Sequence, residues 1–246
     1  MQGDRSIRLS GIVILVRDYK DADRTVVLFT KEQGLFSFVA KGVRKLTSHN
    51  RSSTDLFIQG EYELKRSKAY YILSQGKVEN SFPGIRKDLD KLSVAMTMAA
   101  FLKEVLVENM AQERVFDLFL WSLTRLSSSK DPQMLLRYFI IKALDFLGHS
   151  PDIMACQHCG SAEGPGYYSL EDGHLSCTDC RKEGFYLEEK ILEVYRGLSA
   201  NDFSRLKSFP LSRSEEEKLD FFLEKQVEGI IEKRFTGFDY LKKLTF

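Results

Sequence analysis

TVVLFTKEQGLFSFVA, residues 25–40, decides the architecture of the front of this chain. Two runs rich in β-branched and aromatic residues, 25–30 and 35–40, flank Glu32-Gln33-Gly34. Three residues joining two such runs, with glycine last, predict a β-hairpin. Upstream, Leu9 to Val16 is another Ile, Val and Leu run; downstream, Leu56 to Leu64 partly alternates, and Ala69 to Ser74 follows. Five short strands with a long loop at 41–54 between the third and fourth predict a small closed barrel. The OB-fold is the commonest five-stranded candidate, and an SH3-like barrel has the same strand count.

Beyond residue 85 the period changes to helical. Leu89, Leu92, Ala95, Ala99, Leu102 and Leu106 form one apolar stripe, and Phe116, Phe119, Leu120 and Leu123 another. Asp131-Pro132 is an N-cap followed by proline at the first helical position. Behind it, Leu135, Leu136, Phe139, Ile140, Ala143, Leu144 and Leu147 line one face, and Gly148 ends the run. A further helix is expected over Leu187 to Leu198. Ser212 with Glu215 offers a capping box for another, striped by Leu219, Phe222, Leu223, Val227, Ile230 and Ile231. The stripes read as the core of a helical bundle.

All four cysteines lie in one loop between helices, as Cys156-x2-Cys159 and Cys177-x2-Cys180 separated by seventeen residues. Two such knuckles at this spacing supply four thiolates to a tetrahedral site, and a closed site of four cysteines binds structural Zn2+. A redox motif needs one pair at a strand-to-helix turn. An iron–sulfur cluster is allowed by four thiolates but uses other spacings. Tyr167 to Leu170 and Gly173 to Ser176 read as a short hairpin of a zinc-ribbon-like insertion. His158 and His174 are left as surface residues. Between 156 and 180 there is no Lys or Arg, so the module is expected to be structural or protein-facing, since a finger reading DNA carries cations to meet phosphate.

The chain of 246 residues has a net charge of +1 that hides an asymmetry. Residues 1–80 carry 14 Lys and Arg against 9 Asp and Glu, and residues 151–246 carry 13 against 18. A basic front and an acidic back predict different partners. No apolar run approaches the roughly 18–20 residues of a membrane span, and the N-terminal stretch lacks the pattern of a signal peptide. A cytoplasmic, soluble protein is expected, in which disulfides are disfavoured.

The basic front concentrates in KGVRKLTSHNR, 41–51, with Lys41, Arg44, Lys45 and Arg51. Such a loop on an OB-like barrel predicts phosphate contact, with Tyr19, Phe36, Phe38, Tyr70 and Tyr71 available to stack on bases. Arg17, Lys20 and Arg24 sit around a separate turn diluted by Asp18, Asp21 and Asp23, and are weaker candidates. Catalysis is not expected. The four histidines are scattered, no D-x-D cluster or P-loop occurs, and the acid pairs stand at helix starts.

RDYKDADRTVVLFTKEQGLFSFVAKGVRK (17–45), followed by LRYFIIKALDFLGHSPDIMACQHCG (136–160) and a second C-x-x-C, closely resembles the bacterial RecO family over essentially the whole chain. The resemblance is most specific at 28–45 and 146–160. It implies an α+β, multi-domain protein: an OB-fold over 1–80, and a helical domain over 81–246 interrupted at 153–183 by the four-cysteine zinc module. It also implies a mediator of the RecF pathway that binds single- and double-stranded DNA and anneals complementary strands. With RecR, such a mediator helps load RecA onto SSB-coated DNA. The run Lys41, Arg44 and Lys45 falls in the segment linked to DNA and RecR contact. The acidic, apolar-ended SSB tail needs a groove with an apolar floor and a cation at its rim. Arg137 is the candidate, beside the plainer reading of a solvated helix-face arginine. No membrane or small-molecule partner is expected, and nucleoid association follows from DNA binding. The rival is a zinc-ribbon adaptor that binds proteins and no DNA.

Overall fold

The structure is a computed structural model that describes residues 6–201 and 209–242. The extreme ends of the expected 1–80 and 81–246 units, and the first five residues read for a signal peptide, lie outside the described residues. Five strands come first: β1 (Ser6–Tyr19), β2 (Asp23–Thr30), β3 (Gly34–Ala40), β4 (Gln59–Arg66) and β5 (Tyr71–Asn80). They close into a barrel in the order β1-β2-β3-β5-β4, with β4 returning to β1. Every neighbour pair is antiparallel except β3 and β5, which run parallel and register at Val39↔Ile72. This Greek-key closure of five strands is the OB arrangement.

Strand β1 is long because it serves two partners, β4 along Ser6–Ile12 and β2 along Gly11–Tyr19. The register slips between Val13 and Leu15, and a bulge there bends the strand so that the sheet can close. Phe57 and Ile58 fill the bulge: the Phe57 N–H donates to the Val13 carbonyl at 2.8 Å, and the Val13 N–H donates to Ile58 at 3.0 Å. That use of the backbone, with Phe57 at φ 59°, starts β4 at Gln59 rather than at Leu56. Strand β5 runs on to Asn80, past the expected end at Ser74, on a polar stretch that no apolar pattern marks.

The first three strands are apolar on both faces for a physical reason. Leu9, Val13, Val26, Leu28, Phe36 and Phe38 fill the barrel with Tyr62, Leu64 and Leu73. The alternate residues Ile12, Ile14, Phe29 and Leu35 join the core of the helices. Phe29 meets Phe116 edge-on at 5.4 Å. Strands β4 and β5 turn their second face to solvent, and so alternate.

The helices are α1 (Pro83–Arg86), α2 (Leu89–Val105), α3 (Glu113–Ser128), α4 (Pro132–Phe146), α5 (Glu189–Ala200), α6 (Arg213–Ile231) and α7 (Asp239–Lys242). The Asp131 carboxylate accepts from the Met134 N–H at 2.9 Å, and Ser212 and Glu215 complete the capping box. Gly148, at φ 78°, ends α4 as expected. Of the stripe predicted for α2, Ala95, Ala99, Leu102 and Leu106 are buried and Leu92 packs against the core, but the helix buries more than that one side. Leu89 opens the helix 67% exposed, while Val94, Ala95, Met98, Phe101 and Leu102 are buried. This helix is packed by α3, α4, α6, α7 and β1, so its apolar residues surround it instead of lining one side.

Between α4 and α5, β6 (Gly166–Tyr168) and β7 (Leu175–Cys177) form the expected hairpin. A third strand, β8 (Phe185–Leu187), pairs with the far edge of β6 and was not anticipated. Ile153, Tyr168, Leu175 and Leu187 are buried in the helical core, so the insertion has no core of its own.

Candidate metal centre and basic barrel end

Each cysteine pair sits on a backbone knuckle. The Gly160 N–H donates to the Cys156 carbonyl at 2.8 Å, and the Cys180 and Arg181 N–H groups both donate to the Cys177 carbonyl at 3.1 Å. Gly160 takes φ 74° at the first knuckle, a conformation glycine adopts without strain. The four sulfurs lie within 4.8 Å of one another. Cys159 and Cys177 are 3.7 Å apart at Sγ. A disulfide would hold its sulfurs at about 2.05 Å. Sulfurs at the corners of a tetrahedron about 2.3 Å from a metal stand roughly 3.8 Å apart. The donor set therefore fits a metal ion with all positions filled by protein.

The electrostatics agree. The Cys177 N–H, with those of Cys159 and His158, points at the Cys156 sulfur and draws its pKa down to about 6. Cys180 is pushed up to about 12 by the thiols of Cys177 and Cys159 beside it. Four thiolates this close coexist around a cation. His158 and His174 are outside the cluster, and His174 Nδ1 stands 3.4 Å from the Asp152 carboxylate. Among the described residues no other His, Cys, Asp or Glu group has metal-binding geometry.

Arg196 on α5 clamps this module and was not anticipated. Its guanidinium donates to the carbonyls of Ile153 at 2.8 Å and Ala162 at 2.7 Å. On the other side Tyr168 meets Phe222 edge-on at 5.1 Å, and Phe185 stacks on Phe222 at 5.7 Å.

At one end of the barrel the two basic groups expected to be separate form one surface. The Arg44 N–H donates to the Ala22 carbonyl at 3.0 Å, and the Gly42 N–H donates to Asp23 Oδ1 at 2.8 Å. Asp18 is shared by Arg24 at 3.5 Å and Arg44 at 3.4 Å, and Arg24 also holds Asp55 at 2.9 Å. The acids thus fasten the β1–β2 turn to the 41–58 loop, and Arg24 and Arg44 are spent on that work. Arg17, Lys20, Lys41, Lys45 and Arg51 are exposed and form no ion pair among the described residues.

Arg66, the last residue of β4, and Lys68, in the β4–β5 turn, belong to the same end, because Lys65 and Val39 both register with Ile72. The run K-R-S-K at 65–68 was the signal for them in the sequence. Of the aromatics, Tyr19 and Tyr70 are exposed. Phe36 and Phe38 point into the barrel and are not stacking platforms, and Tyr71 is half-buried against Phe36 at 5.0 Å.

Arg137 is 2% exposed, not a solvated helix-face residue. Its guanidinium donates to Asp220 at 2.7 and 2.9 Å and to Glu216 at 3.2 Å. It lines a cavity of about 660 Å³ whose apolar wall includes Leu211, Phe221 and Phe238.

No helix among the described residues is long and apolar enough to cross a membrane. The family described as "Recombination protein O N terminal" matches residues 1–82, and "Recombination protein O C terminal" matches residues 86–236. The chain is 31% identical over 243 residues to a protein of Acetivibrio thermocellus named DNA repair protein RecO, covering 97% of both chains. It is also 31% identical to one so named from Symbiobacterium thermophilum, covering 96% of both. With one from Syntrophomonas wolfei it shares 28%, covering 93% of both. A closed five-stranded barrel joined to helices that carry a four-cysteine cluster, matched along both halves, belongs to the bacterial RecO family of DNA repair and recombination proteins.

Proposed function

We propose that the protein binds single- and double-stranded DNA through the basic barrel end, anneals complementary strands, and with RecR helps load RecA onto SSB-coated DNA. The observation that carries this reading is the set of five exposed cations without ion pairs, Arg17, Lys20, Lys41, Lys45 and Arg51, brought together on one fastened surface. Cations of this kind displace condensed counterions from phosphates and give salt-sensitive, sequence-tolerant binding. Screening of two held strands favours their pairing without bond chemistry, so no catalytic residue is assigned. Residues 1–80 act as the nucleic-acid and RecR unit, and 81–246, with the insertion at 153–183, as the helical unit. The metal is one structural Zn2+ on Cys156, Cys159, Cys177 and Cys180, a thiolate set with no open position. The SSB tail is assigned to the cavity beside Arg137, where its carboxylates would compete with Asp220 for the guanidinium. Charge reversal at Arg137 that leaves SSB affinity unchanged removes that assignment. The work is cytoplasmic, at the nucleoid when DNA is bound.

The test is single-stranded DNA binding across a salt series, with wild type beside a Lys41→Ala, Lys45→Ala, Arg51→Ala variant. The slope of log affinity against log salt is expected to become shallower by about 0.7 for each phosphate contact removed. Equal slopes would move DNA elsewhere and leave this loop to RecR. The acidic character of the metal module favours a protein-facing role for that part alone. An adaptor without DNA binding would show no DNA affinity when RecR is absent.

A further inference from the structure

In the middle of the basic loop stands Leu46, 88% exposed, the most exposed large apolar residue among those described. Isolated surface leucines are ordinary, but this one is held out by a built scaffold. The loop is a chain of tight turns: Lys45 N–H donates to Gly42, Ser48 to Lys45, Arg51 to Ser48 and Thr54 to Arg51, at 3.1 to 3.4 Å. Leu46 is the second residue of the Lys45–Ser48 turn. The loop is tied to β5 by Asn50, whose side-chain amide donates to the Ser74 carbonyl at 3.1 Å and accepts from the Gly76 N–H at 3.0 Å. At its start it is tied to the β1–β2 turn through Gly42 and Arg44. An aliphatic tip is thus presented on a pre-ordered loop between Lys41 and Lys45 on one side and Arg51 on the other.

We infer that Leu46 is a base-contacting wedge, which presses between neighbouring bases of a strand whose phosphates the surrounding cations hold. The inference rests on the proposed DNA reading of this surface and deepens it. Proteins that part base steps do so with apolar side chains flanked by cations. Leucine carries no hydrogen-bonding group, so it discriminates no base and leaves the pairing edges free. Such a tip unstacks a held single strand and keeps it open to a complement. The ligand is unpaired bases of any sequence.

The experiment uses the full-length protein and a single-stranded oligonucleotide carrying 2-aminopurine, whose fluorescence rises when the base is unstacked. Wild type at saturation should raise the signal. Leu46→Ala should bind with the same salt slope and lose most of the rise, while Leu46→Phe retains it. Residue 46 touches no core, so matched thermal melting of the variants verifies the fold. Salt-sensitive binding by wild type with an undiminished rise in Leu46→Ala overturns this inference alone. A Leu46→Ala variant that keeps the rise but loses RecR binding overturns it too, and assigns the tip to a protein surface. Absence of salt-sensitive DNA binding by wild type overturns the DNA reading, and this inference with it.

Discussion

Replacing Gly34 by alanine asks two things of the backbone at once. Gly34 sits at φ 65°, and a Cβ there would lie 2.0 Å from the Met110 carbonyl oxygen. The turn closes the hairpin and also lets it press against the segment after α2, where the Asn109 N–H donates to the Leu35 carbonyl at 3.0 Å. Gly34→Ala is therefore expected to cost about 1–3 kcal/mol, read as a lower urea midpoint at unchanged slope. Arg137 is a residue whose importance is of a different kind. Truncating it to alanine leaves Asp220 and Glu216 facing each other without their cation. Because both acids are partly exposed, the loss should fall near the low end of the range for broken buried pairs, about 3 kcal/mol. Chemical denaturation of Arg137→Ala tests this, and a variant as stable as wild type would show the pair to be dispensable.

The four-cysteine module packs Ile153, Tyr168, Leu175 and Leu187 into the helical core, so loss of a metal held by its thiols should be felt there. Removing the metal by chelation, or making Cys156→Ser, should release one equivalent of metal per chain and loosen β6 to β8. Tyr168, Leu175 and Leu187 then leave the core, so melting temperature and near-ultraviolet circular dichroism should both fall. An apoprotein with unchanged melting would mean that the helices stand alone. Helix α6 carries a pH-dependent contribution. The Ser212 N–H and hydroxyl hold the Glu215 carboxyl below its ordinary 4.5, and Lys225 does the same for Glu228. A folded value below the unfolded one means stability present above pH about 4.5 and lost as the pH falls through the lower folded values. Glu215→Gln should flatten that acid limb of a urea-midpoint profile. The capping box was legible because it is local: two side chains three residues apart. So were the Asp131 cap and the hairpin of β6 and β7. Strand β8 was not, because three residues ahead of a helix carry no period, and their partner lies across the sheet. The stripe of α2 was legible in Ala95, Ala99, Leu102 and Leu106, but the buried Val94, Met98 and Phe101 outside it were not, since contact on several sides erases amphipathicity.

At the scale of the whole molecule, the outward face of the barrel and the helices share one core, beside the separate core inside the barrel. Ile12, Ile14, Phe29, Leu35 and Phe57 sit in the same cluster as Phe116 and Phe119. Heat should therefore unfold the chain in a single calorimetric transition whose van't Hoff and measured enthalpies agree. Residues 1–82 produced alone should expose that apolar face and associate. Two separated transitions would mean that the shared interior couples the halves weakly. The barrel's existence was readable from strand order, but its union with the helices was not. An apolar residue on the outside of a strand looks the same whether it meets a helix or another sheet. The candidate site was legible in part for the same reason. The cysteines declared their spacing, whereas the merging of two basic turns depends on Asp18 and Asp23, which read in sequence as dilution and act in space as fasteners.

The closure between β3 and β5 rests on one registered pair, Val39↔Ile72, while every other seam is laddered along its length. In a deuterium-exchange experiment, that seam is where the ring should breathe first, with the amides flanking Val39 and Ile72 opening by local fluctuation ahead of the rest. The loop that carries the cations starts at the end of β3 and is laced to β5 through Asn50. A strand of DNA lying across it would bridge both sides of the gap. Occupancy should then appear as slowed exchange inside the barrel, at residues that no phosphate touches.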